Sequence, residues 1–154
     1  MAYSLEAIVG SPSAVEALAA DLNDAAVMPL NRGISMIPMT DSEFELVEER
    51  ASAHRPGIRI SPSLEQMLIT RSHVGPVGYI EAEYFGGAGG QGAAVWDRGV
   101  LVVGPLVNVG EAIGIEGTPI SQALRYLGVV RSFPWDEFDA AGLGRHRRTT
   151  AWLR

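Results

Sequence analysis

The chain of 154 residues contains no cysteine and no lysine. The first absence excludes disulfides, thiolate nucleophiles and Cys-ligated zinc or iron–sulfur centres. The second makes all twelve basic residues arginine and excludes the phosphate-cradling G-x-x-x-x-G-K-[ST] loop. Positive charge is also scarce, with eighteen acids giving a net charge of −6. A nucleic-acid binder needs a basic stripe that releases counterions, and here only the last ten residues, with Arg145, His146, Arg147, Arg148 and Arg154, are locally basic. Long apolar runs are missing too. Gly99 to Gly110 is about a dozen residues interrupted by Pro105 and Asn108, short of the roughly 20 that span a bilayer. Met1 to Glu6 shows no basic region leading into an apolar stretch, so no signal peptide is expected. These absences lead to the expectation of a cytoplasmic protein with no cofactor, no metal, no nucleic acid and no membrane partner.

What is present suffices for a core: 47% of residues are hydrophobic and only 19% charged. The length fits one domain over residues 1–154. Tyr3, Leu5, Ala7 and Val9 alternate with Ser4, Glu6 and Ile8, which predicts a first strand ending at Gly10. Ser11-Pro12, Ser61-Pro62 and Thr118-Pro119 each place a cap residue before a proline suited to the first helical position. Apolar stripes follow at Val15/Leu18/Leu22, Leu64/Met67/Leu68 and Ile120/Ala123/Leu124. Ala26 to Leu30 and Ile34 to Met39 flank Asn31-Arg32-Gly33 as a hairpin. Thr40 to Glu43 reads as a capping box opening an acidic helix, with Phe44, Val47 and Ala51 inward and Glu45, Glu48 and Glu49 outward. Tyr79 to Phe85 is a strand, Gly86 to Gly92 a glycine loop, and Ala93 to Trp96 and Val100 to Gly104 two more strands about Asp97-Arg98-Gly99. The order predicts an α+β fold, a mainly antiparallel sheet with helices packed on one face, and an irregular C-terminal wrap over about 129–154.

No motif fixes a reaction. Gly87, Gly89 and Gly92 formally spell G-x-G-x-x-G, yet no helix pattern follows to hold a pyrophosphate. Glu81 and Glu83 leave the same strand face about 7 Å apart, a spacing open to acid/base work or to a solvated, salt-bridged surface. In a catalytic reading His73 joins them under the glycine loop. The histidines His54, His73 and His146 have no metal-ligand spacing.

The segment Tyr79 to Gly87 with Gln91 and Trp96, followed by Asp136-Glu137-Phe138-Asp139 and Gly142-Leu143-Gly144-Arg145-His146-Arg147, resembles small bacterial proteins that include toxin-immunity partners. That likeness covers the second half of the chain and implies a cytoplasmic bacterial protein that acts by binding another protein. The leading expectation is an acidic, non-enzymatic immunity or inhibitor protein facing a basic toxin. Its binding residues would be Glu81, Glu83, Tyr84, Phe85, Gly87, Gly89, Gln91, Arg145 and His146, or the acidic helix from Glu43 to Glu49. The alternatives are a small enzyme or ligand-binding domain built on Glu81, Glu83 and His73, and an oligomeric subunit joined through the apolar Val100 to Val109 edge.

Overall fold

The computed structural model describes residues 2–47, 58–86 and 88–154. Its elements are β1 (Tyr3–Gly10), α1 (Pro12–Asp21), β2 (Met28–Pro29), β3 (Ser35–Pro38), α2 (Asp41–Val47), α3 (Pro62–Arg71), β4 (Val77–Phe85), β5 (Ala88–Asp97), β6 (Val100–Asn108), α4 (Pro119–Tyr126) and α5 (Glu137–Ala141). The strands form one six-stranded sheet in the order β2-β3-β1-β4-β5-β6, with every strand pair antiparallel. The α+β reading and its antiparallel sheet hold. Among the described residues no helix is long and apolar enough to cross a membrane.

The helices cover both faces of the sheet, and this corrects the expectation of a single covered face. Ile8, Ile37, Tyr79, Ala94 and Trp96 pack with α1, α2 and α3. Leu5, Ala7, Val9, Ile80, Ala93 and Val95 pack with α4, α5 and Trp152. Alternating strand residues point to opposite faces, so the apolar positions on both faces of β1 demand two layers. The period-two signal was weighted toward Tyr3, Leu5, Ala7 and Val9, while Ile8 marks the second layer. The stretch expected to be an irregular wrap contains α5, and Ala141, Leu143 and Trp152 are buried in the core.

Local chemistry sets the helix starts. Ser61 Oγ accepts the Leu64 N–H at 3.1 Å and Thr118 Oγ1 accepts the Ser121 N–H at 3.2 Å. Thr40 and Glu43 make the capping contact, the Thr40 N–H donating to Glu43 Oε1 at 2.9 Å. Ser11 departs from the pattern, since its hydroxyl is buried and caps nothing. The part of the acidic helix carrying Glu48, Glu49 and Ala51 lies outside the described residues.

Chain order and space diverge at β1. Its second half pairs with β3, Ala7 opposite Pro38 through Gly10 opposite Ser35. Its first half is completed by the C-terminal tail: the Ser4 N–H donates to the Arg147 carbonyl at 2.8 Å and the Glu6 N–H to Thr149 Oγ1 at 3.0 Å.

Candidate functional site

The segment expected to be a glycine loop is a β-hairpin instead. Phe85 pairs with Ala88, and Gly89 to Gly92 belong to β5. Glycine is a loop signal because it has no side chain to pack and loses much entropy on ordering. Here it serves close approach between strands. A Cβ on Gly89, at φ +148°, would strike the Glu83 carbonyl and Tyr84 Cα, and one on Gly90 would lie 2.5 Å from the Asn108 carbonyl oxygen.

Along β4, Tyr79, Glu81, Glu83 and Phe85 share the face that α1, α2 and α3 cover elsewhere. That cover reaches only part of the sheet. Tyr79 is wholly buried, Glu81 half-buried, Glu83 exposed, and Phe85 is 78% exposed. The bare end forms an open trough of about 490 Å³, with Glu81, Glu83 and Phe85 on the β4 side, Gly90 at its centre and Val107 and Val109 beyond. Val107 enters because it pairs with Gly92, which aligns it with the same face. The sequence reading gave Val107 and Val109 only as part of an apolar Val100 to Val109 edge and did not place them beside Glu81 and Glu83 as trough wall.

The carboxylates differ in their surroundings. Glu6 and Glu81 stand directly opposite on β1 and β4, a like-charge pairing that is unfavourable alone. Arg59 offsets it. Its backbone N–H donates to Glu81 Oε1 at 2.7 Å, and its guanidinium sits 3.4 Å from Glu6 Oε2 and 3.7 Å from the centre of the Phe44 ring. Burial pushes the Glu81 carboxyl above its ordinary range and Glu6 adds to this, while the Arg59 N–H acts in the opposite sense. Burial, then the charges of Glu81 and Glu6, push the pKa of the buried Tyr79 hydroxyl well up. The Glu83 side chain has no hydrogen bond or ion pair among the described residues. Arg59, Phe44 and Glu6 were not singled out in the sequence. Only tertiary packing brings the three together, so no spacing rule would have found them.

His73 does not join this group. It is exposed and lies against Gly99 in the β5–β6 turn, at the end of the sheet where Val77 pairs with Trp96, opposite the β4–β5 hairpin. The catalytic grouping of Glu81, Glu83 and His73 is therefore corrected: the two carboxylates share a trough and the histidine is at the far end. Gln91 is occupied structurally, its Oε1 accepting the Ile120 N–H at 3.1 Å in the first turn of α4. Tyr84 points to the opposite face and packs on the α4/α5 layer. Arg145 and His146 pack about Trp152, the guanidinium 5.5 Å and the imidazole 4.7 Å from its ring centre, and neither is joined to Glu81 or Glu83. Gly87 lies outside the described residues, as does His54. Among the described residues no three His, Asp or Glu side chains gather in a group suited to a metal ion.

The arrangement is suited to recognition: an open, partly apolar surface bordered by negative charge on an antiparallel scaffold. Comparison with known protein families, curated proteins and solved structures finds no match to this chain.

Proposed function

We propose that this is a small acidic binding protein of the immunity or inhibitor type, working in the bacterial cytoplasm without catalysis of its own, and that the bare end of the α1–α3 face docks on a basic partner protein. The observation that carries the reading is the trough, where exposed Phe85, Val107 and Val109 adjoin Glu81 and Glu83 on a face whose other end is covered by helices. Aromatic anchors beside complementary charge are what protein interfaces use for affinity and for rapid association. A small-molecule site encloses most of its ligand, whereas this trough is open and Phe85 stands 78% exposed. A protein surface fits such a shape better.

The test uses the full chain as bait in lysate of the bacterium that makes it, beside a Glu83→Arg/Phe85→Ala double variant and a Glu45→Arg control on the exposed side of α2. The expected result is one stoichiometric basic protein, retained by wild type and by the control at low salt and lost from the double variant and at high salt. Equal capture by all three baits, or a blank at low salt, overturns the reading.

A further inference from the structure

The same sheet face contains one aromatic–carboxylate pair that already holds an arginine and a second that, among the described residues, holds none. In the first, Arg59 lies over Phe44 at 3.7 Å with its guanidinium 3.4 Å from Glu6 Oε2, on the strand rung where Glu6 faces Glu81. Two residues further along β4, Glu83 and Phe85 offer a carboxylate and a ring on one face. Both are exposed, and Glu83 has no ion pair among the described residues.

We infer that the trough takes an arginine side chain from the partner protein, its guanidinium against the Phe85 ring and the Glu83 carboxylate and its methylenes along Val107 and Val109. The inference rests on the docking reading and names the chemistry of the contact. Gly90 lines the trough between Glu83 and the valine wall, and its lack of a side chain lets β6 approach closely enough to bring Val109 beside it. A purely apolar plug would desolvate the Glu83 carboxylate with no compensating partner. A lysine would satisfy the charge, but its compact ammonium does not stack on a ring as a planar guanidinium does. An arginine satisfies carboxylate, ring and valine wall together.

The experiment follows backbone amide resonances of the full chain while acetyl-Gly-Arg-Gly-amide is added, with the citrulline peptide as an uncharged match in shape. The expected result is saturable shifts at Phe85, Gly90 and Val107, with the arginine peptide about two- to fivefold tighter than the citrulline one. Glu83→Gln and Phe85→Ala should each weaken it by a similar factor, their spectra otherwise unchanged. Equal response to both peptides, or arginine-induced shifts confined to other residues, overturns the inference. An arginine peptide that leaves the trough silent, while capture of the partner still depends on Phe85 and Glu83, overturns the inference and leaves the docking reading standing. Arginine binding in the trough with partner capture indifferent to both residues supports the arginine site and removes the docking reading.

Discussion

Strands β4, β5 and β6 cross one face of the sheet from a covered end to a bare one, and the two ends are built by different rules. At the covered end Tyr79, Ala94 and Trp96 lie fully or almost fully buried under α1 and α3. At the bare end the same strands present Glu83, Phe85, Gly90 and Val107. The difference shows that on this face the hairpin runs outward past α1–α3, while its other face stays packed under α4 through Ala82, Tyr84 and Gln91. Without helices above it, apolar area there is not converted into stability, so it remains available for a partner.

The largest expected break in this comparison is thermodynamic. Trp96→Ala empties a site beneath helices and should cost about 3–5 kcal/mol in urea unfolding. Phe85→Ala removes an aromatic ring of the bare end and should change stability by less than about 0.5 kcal/mol. Equal losses would place Phe85 in the core and abolish the distinction. Next comes the backbone of the hairpin. Gly89→Ala forces a side chain against the β4 backbone at φ +148° and should cost about 1–3 kcal/mol. Gly110→Ala, at φ +87° with open space around it, should cost only about 1 kcal/mol. Comparable midpoints for the two variants would mean that the strand approach at Gly89 is not tight.

Glu81 stands at the boundary of the two ends, and its titration sharpens where that boundary falls. Its folded-state pKa is raised by burial, so between the ordinary carboxylate value and the raised one the folded state binds more protons than the unfolded. Stability should therefore fall as pH rises through that window. Glu81→Gln keeps an oxygen for the Arg59 N–H and should flatten this dependence, as a pH series of unfolding midpoints would show. A slope unchanged by the variant would assign the effect to another group.

The smallest effect belongs to the cover itself. Arg71 donates to both oxygens of Asp21 at 2.7 Å, joining α3 to α1, with both side chains about one-third exposed. Arg71→Ala should cost less than about 1 kcal/mol, given solvent screening. The Arg71 hydrogen bond holds Asp21 below its usual pKa, so the pair's contribution is present above the ordinary Asp value and lost as pH falls through the lowered one. The gap between variant and wild type should accordingly close in acid. A gap that widens there would show that the pair does not tie the helices.

The sequence made part of this legible, and for physical reasons. Helix starts at Pro62 and Pro119 follow from cap chemistry within three residues, which is local. The alternation that put Glu81, Glu83 and Phe85 on one face is equally local. The division of helices between two faces was hidden because strand periodicity does not say what covers each side. The glycines misled because lack of a side chain is compatible both with a loop and with tight strand approach, and only the neighbouring Glu83 and Asn108 carbonyls decide between them. Val107 and Val109 were legible as an apolar edge, but which face they join depends on the irregular pairing between β5 and β6, which sequence alone does not give.

The joining of β1 to the tail has a consequence for how the molecule is made. Ser4 and Glu6 are synthesised long before Arg147 and Thr149, whose groups their amides await. A nascent chain that has already assembled β1, β3 and β4 still exposes a short row of open backbone donors beside β1 until those late residues emerge. During that interval the growing protein presents a sheet edge able to pair with a neighbouring chain, and the emergence of Arg147 to Thr149 closes it.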